Sequence, residues 1–198
     1  MFFGTGGGTI GMVVGFWVVF YIWIGSEIWL GYRRRRLPSG ATDRDSGSKA
    51  WVIGSVWTAV SLGIGLAFAF PGIAIKSGRT EVFVAGLVLM VAGIALRWYA
   101  VLVLGTSFTV NVATRPGQPV VESGPYRWIR HPSYTGGLLT LLGVLVCCCN
   151  PVSLLSVVFA LGGYARRIRI EEKALATDLG APYRDYMRRT KRLIPFLV

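Results

Sequence analysis

A chain of 198 residues that is 53% hydrophobic and 15% charged, with seven Trp and 26 Gly, carries more apolar surface than one soluble domain of this size can hide. Several windows reach the roughly 20 apolar residues that cross a bilayer, which excludes an ordinary soluble fold and gives an all-α polytopic membrane protein. The net charge of +12 does not imply a nucleic-acid partner, because the positive residues cluster beside apolar windows as the inner loops of membrane proteins do.

In chain order, the sequence predicts a single membrane domain over 1–198 with five transmembrane helices, at about 10–32, 51–71, 82–104, 132–149 and 152–168, and a cytoplasmic C-terminal region at 169–198. The start has no basic n-region and its first apolar run is long enough to stay in the membrane, so no cleavable signal peptide is expected. Trp17, Trp23, Trp29 and Tyr32 give the first span aromatic content suited to an interface. Glu27 reads as an interfacial carboxylate, with a buried pairing to an arginine as the alternative. The block Arg33 to Arg36 and the polar loop to Lys49 read as a topology determinant that also contacts anionic lipid.

The second span ends near Pro71-Gly72, and the third is rich in small residues that permit close helix packing. Arg97, in the third span's last turns, either snorkels to the headgroups or faces a polar cavity. Residues 105–130 are too polar and too broken by Gly and Pro to cross. Pro132 suits the first turn of a fourth helix, and Asn150-Pro151 suits a tight turn into the fifth. Cys147, Cys148 and Cys149 are consecutive, lack metal-ligand spacing and fill helix surface. From Arg166, RRIRIEEKALATDLG continues the fifth span as an amphipathic helix that Gly180 stops. A short helix and an extended end at the membrane surface follow. Of the 21 Lys and Arg, 18 fall in the loops this topology puts in the cytoplasm, with the N-terminus outside. In a prokaryote that membrane is the plasma (inner) membrane.

The stretch GPYRWIRHPSYTGG, residues 124–137, holds the single histidine, His131. His131 shares a helix face with Tyr134 and Thr135, and the free N–H groups of a first turn favour an anionic group. Tyr126, Arg127 and Arg130 lie beside it. These residues form either an aromatic–arginine belt that fixes the helix depth or a polar pocket for a zwitterionic or anionic cofactor. Glu171 and Glu172, with Arg166, Arg167, Arg169, Tyr183 and Tyr186 nearby, could bind a ribose hydroxyl pair or a cationic centre. Neither H-E-x-x-H nor a strand-linked G-x-G-x-x-G occurs, so no metal and no Rossmann-type cofactor is expected.

These residues resemble the isoprenylcysteine carboxyl methyltransferase family of integral membrane enzymes, related to the phospholipid N-methyltransferases. The resemblance runs in order through Arg97, Gly105-x-x-Phe108-Thr109, GPYRWIRHPSYTGG, Arg169-x-Glu171-Glu172-x-x-Leu175, Gly180-x-x-Tyr183-x-x-Tyr186 and RLIP at 192–195. It covers about half the chain, from 97 to 195. It implies S-adenosylmethionine as methyl donor and makes the cytoplasmic C-terminal part a cofactor-binding region. By resemblance, His131, Tyr134, Gly136, Gly137 and Leu138 line the cofactor pocket, and Tyr126, Arg130 and the Arg169–Glu172 region complete its polar walls. Tyr183, Tyr186 and Arg192 close over the nucleoside. Glu171 or Glu172 holds the ribose or orients substrate, while Arg97 and Arg169 are candidates to hold an anionic substrate head.

The implied activity is methyl transfer to a hydrophobic or lipid-like acceptor, foremost a prenylcysteine-type carboxylate. A carboxylate needs no general base, whereas an amine acceptor, as in phospholipid methylation, would need a proton sink such as Glu171 or Glu172. The related membrane sterol reductases would bring a nicotinamide cofactor, which needs a larger basic site. A non-catalytic scaffold or a transporter is the alternative of another class, but polar features gathered on one face argue against transport. No obligate protein partner is expected.

Overall fold

The computed structural model describes residues 7–33, 42–43, 47–105, 113–114 and 119–195. Arg34 to Arg36, the stretch with Phe108 and Thr109, and residues 196–198 lie outside the described residues. Six α-helices carry the architecture: α1 (Gly7–Arg33), α2 (Ser48–Ala69), α3 (Arg79–Leu104), α4 (Pro132–Cys147), α5 (Val157–Asp178) and α6 (Ala181–Arg189). A two-residue antiparallel pairing joins β1 (Thr42–Asp43) to β2 (Ala113–Thr114).

The expectation of five transmembrane helices is corrected: among the described residues three helices are long and apolar enough to cross, Ile10–Tyr32, Ser48–Ala69 and Arg79–Leu104. Two physical features account for the difference. The 16 residues of α4 reach roughly 24 Å at 1.5 Å per residue, short of a hydrocarbon layer about 30 Å thick. The segment expected as a fifth span opens with a 3-10 turn, Pro151–Ser156. Then α5 is apolar for about two turns before Arg166, Arg167, Arg169, Glu171 and Glu172 enter the same helix. The expected separate cofactor-binding region is corrected as well. Its first part is the unbroken continuation of α5, and α6 follows after Gly180. The protein is a multi-pass, all-α membrane protein.

The centre of the bundle is the seam between α3 and α4, where glycines recur every seven residues on both helices. A Cβ on Gly93 would lie 2.4 Å from Thr140 Oγ1 and 2.5 Å from Thr140 N. One on Gly143 would lie 2.6 Å from Gly86 O. Backbone therefore touches backbone, the approach that small residues allow where lipid supplies no hydrophobic drive between helices. Met90, Leu141, Val144 and Leu145 fill the layers around the seam. Exposed Ile22, Trp57, Val88 and Leu102 cover outer faces that only a bilayer makes favourable.

The turn after α4 is tied to the end of α2. Asn150 is buried, so its polar atoms need partners. Its side chain accepts from Val152 N at 3.1 Å and donates to Phe70 O at 2.9 Å. At the other end of α2, Ser48 accepts from Arg167 of α5 at 2.9 Å. Together α2, α4 and α5 carry the chain from one such turn to the region around His131.

Candidate functional site

Three pieces of chain build the site: the entrance to α4, the middle of α5 and the segment after α6. Pro132 occupies the first position of α4, where its missing N–H costs nothing, and His131 precedes it in a non-helical conformation. That frees the His131 backbone for the returning C-terminal segment. Arg130 N donates to Lys191 O at 2.7 Å and His131 N to Arg192 O at 3.0 Å, while Lys191 N donates to Trp128 O at 3.3 Å. Thr135 Oγ1 donates to Leu193 O at 2.7 Å. Residues 190–193 are thereby docked along the mouth of α4.

Glu172 sits at the convergence. Arg130 Nε donates to its Oε1 at 2.9 Å, Arg192 Nε to its Oε2 at 3.0 Å, and His131 Nε2 lies 3.4 Å from Oε1. Burial acts to raise the carboxyl's pKa, but the hydrogen bonds from His131, Arg192 and Arg130 outweigh it and hold the value at about 2. Glu172 is thus a permanently charged, fully committed acceptor. Arg130 Nη1 donates to Met187 O at 3.0 Å and to Thr190 O, which pins the end of α6.

Glu171 heads a second chain of contacts. Tyr134 donates its hydroxyl to Glu171 Oε2 at 2.5 Å and accepts from Arg167 Nε at 2.8 Å. The His131 and Tyr134 rings stack at 5.4 Å with 7° between planes, and His131 Nδ1 is 3.9 Å from Glu171 Oε2. The Glu171 side chain keeps 29% of its surface exposed, against 5% for Glu172. The two glutamates therefore differ: one is enclosed by cations, the other presents an open edge.

Three tyrosines back this cluster. Tyr186 donates to Tyr126 O at 2.8 Å, and the Tyr183 and Tyr186 rings are 5.9 Å apart. Burial, with Glu171 next for Tyr126 and Tyr183, pushes these phenols above their ordinary range, so they remain neutral. Of the other expected residues, Gly136 faces α3, where a Cβ would meet Arg97 N and Gly93 O at 2.7 Å. Gly137 faces Tyr164, whose hydroxyl a Cβ would meet at 2.4 Å. Leu138 is half-buried against the apolar core. Arg192 is half-exposed, and Arg169 is exposed.

Arg97 neither snorkels nor stands alone. Its Nε and Nη2 fork onto the Glu27 carboxylate of α1, with Nη2 at 2.6 Å from Oε2. Its Nη1 donates to Ser133 Oγ at 2.9 Å. Sequence reasoning read Glu27 as interfacial with a buried pairing to an arginine as the alternative, and the structure has that pairing. Sequence reasoning omitted Ser133. It also favoured Arg169 over Arg167, the arginine that reaches Tyr134. Helical spacing carried a usable signal there, because Arg167 is four residues before Glu171 and shares its face, whereas Arg169 is two before it.

The sequence pattern described as the isoprenylcysteine carboxyl methyltransferase family matches residues 86–177. Protein-S-isoprenylcysteine O-methyltransferase B of Arabidopsis thaliana is 34% identical over 115 residues, 57% of this chain and 58% of that protein. The Saccharomyces cerevisiae protein-S-isoprenylcysteine O-methyltransferase is 34% identical over 136 residues, 66% of this chain and 57% of its own. A solved eukaryotic intramembrane Ras methyltransferase of this family superposes with a TM-score of 0.55 at 28% identity, covering 76% of this chain and 53% of that one. The chain thus spans at most about three-fifths of the length of these relatives. The matched residues run from α3, through the mouth of α4, to the paired glutamates of α5. Over residues 86–177 the chain is similar to the isoprenylcysteine carboxyl methyltransferase family.

Proposed function

We propose that this protein transfers a methyl group from S-adenosylmethionine to the carboxylate of a prenylcysteine-type, lipid-like acceptor. The observation that supports this most directly is the meeting of His131 and Tyr134 with Glu171 and Glu172 under the docked segment 190–193. The donor set suits a zwitterionic nucleoside. The open edge of Glu171 can accept from ribose hydroxyls or an ammonium, and half-exposed Arg192 can meet a carboxylate. Tyr126, Tyr183 and Tyr186 offer an apolar wall beside the nucleoside. In this reading Glu171 holds the donor, and Glu172, saturated by Arg130, Arg192 and His131, holds the walls in place.

When bound, S-adenosylmethionine supplies an electrophilic methyl carbon: an acceptor oxygen bonds to it as the carbon–sulfur bond breaks and its electron pair stays on sulfur. An ionised carboxylate has no proton to lose, so the protein's work is to bind, orient and exclude water. Arg97, fixed by Ser133 beside the α4 mouth, orients the acceptor's anionic end. The apolar outer faces of α1 to α3 offer the prenyl chain a lipid-side approach. The site side faces the cytoplasm with the N-terminus outside, in keeping with the concentration of Arg and Lys around the site. Exposed Arg188 and Arg189 of α6 meet anionic headgroups there.

The test is radiolabelled methyl transfer by the purified protein to an N-acetylated farnesylcysteine, with phosphatidylethanolamine beside it. Base-labile label on the farnesylcysteine is expected. Base-stable label on the phospholipid would replace this reading with amine methylation, and stabilisation by NADPH in place of the methyl donor would reject both.

A further inference from the structure

Glu27 lies in α1, outside the residues 86–177 that carry the family match, yet its carboxylate reaches the candidate site. It takes two parallel bonds from Arg97, the fork that a guanidinium makes with any carboxylate. The opposite edge of Arg97 is anchored to Ser133, through Oγ at 2.9 Å and the carbonyl at 3.2 Å. The pair is asymmetric. The Arg97 side chain keeps 16% of its surface exposed and Glu27 keeps 34%. Arginine is therefore the fixed member, and the carboxylate is the member with room to leave.

We propose that Glu27 determines acceptor specificity: it fills the Arg97 fork in the resting protein, and the acceptor's own carboxylate exchanges with it. This rests on the methyltransferase reading above. A guanidinium at membrane depth is costly without an anion, so the fork is held by one carboxylate or the other. An acceptor lacking that group cannot displace Glu27 and is rejected. Methylation turns the acceptor into a neutral ester, which cannot keep the fork. Glu27 then recaptures Arg97, and the product leaves without a bond to the fork. If Glu27 holds the fork for about nine-tenths of the time without acceptor, it weakens apparent acceptor affinity about tenfold.

The experiment measures binding of N-acetyl-farnesylcysteine and of its methyl ester to the full chain in nanodiscs without methyl donor, then steady-state methylation. Glu27→Gln is expected to tighten the acid about tenfold, to leave the ester unchanged, and to lower KM by the same factor with kcat held. Glu27→Asp, which keeps the charge on a shorter arm, is expected to tighten the acid less, and it serves if the glutamine variant does not fold. An acid affinity unchanged or weakened in either variant, with wild type still methylating, overturns this inference alone. Wild type that neither binds the acid nor methylates it overturns the methyltransferase reading, and this inference with it.

Discussion

Arg130 and Glu172, 42 residues apart, meet through Nε and Oε1 at 2.9 Å with side chains only 8% and 5% exposed. One leads into α4 and the other lies in α5, so this contact fixes how the two pieces face each other. A buried pair of this kind is worth little as a sum, but removing one member strands the other's charge.

Acid should weaken the protein through Glu172. Its folded carboxyl is held at about 2 against an ordinary 4.5. A depressed folded value gives stability that is complete above the unfolded value and is lost as pH falls toward the folded one. Thermal unfolding of wild type and Glu172→Gln should differ by about 3 kcal/mol at neutral pH. The gap should shrink through the window from 4.5 to about 2. A gap that does not change across that window would refute the assignment.

The two arginines on Glu172 should not be equivalent. Arg130→Ala removes the buried Nε bond to Glu172 and the Nη1 bonds to Met187 O and Thr190 O. It should cost about 3–5 kcal/mol in the same assay. Arg192 keeps 49% of its side chain exposed, and Arg192→Ala should stay within about 1 kcal/mol. Its effect should appear instead as weaker binding of the demethylated donor product, measured by titration calorimetry.

Tyr134→Phe deletes one hydroxyl that serves both Arg167 and Glu171. Leaving a buried donor without its acceptor costs about 1–3 kcal/mol. With Glu171 no longer aimed, binding of the demethylated donor product should weaken about tenfold, equivalent to about 1.4 kcal/mol. Calorimetry beside a thermal scan reads both effects in one preparation.

Gly93→Ala should separate α3 from α4, because its Cβ would stand 2.5 Å from Thr140 N. Backbone cannot rotate away as a side chain can, so a loss of several kcal/mol, or failure to fold, is expected. Gly54→Ala in α2 meets nothing within 4 Å. It should be neutral or stabilising by up to about 1 kcal/mol through helix propensity. Proteolysis rates of the two variants in detergent check the contrast.

What could be read from the residues alone was local. The run around His131 combined a lone titratable ring, two arginines and a proline at the head of an apolar segment, and each signal lies within a few positions of the others. The acidic pair in α5 was visible for the same reason. Pairings across the bundle were not. Nothing near Glu27 in sequence indicates Arg97, and buried Arg167 of α5 bonds Ser48 at the start of α2, 119 residues away. Span count failed where hydropathy and geometry part company: residues 151–156 are apolar but wind as a 3-10 turn, and the apolar stretch of α4 ends at 16 residues. The small residues of the third span indicated close packing as a class of contact. Its register, Gly93 on Thr140 and Gly143 on Gly86, required both helices in place.

The backbone bonds from Arg130 and His131 to Lys191 and Arg192 make the site wall depend on a segment that lies far downstream in the chain. The helices α1 to α5 all precede that segment in the chain and can form before it docks. Glu172 then has Arg130 and His131 within reach but neither Arg192 nor the strap that closes over them. The pocket wall therefore depends on residues 190–193, so a frameshift or nick just beyond α6 leaves a helical protein with an incomplete site.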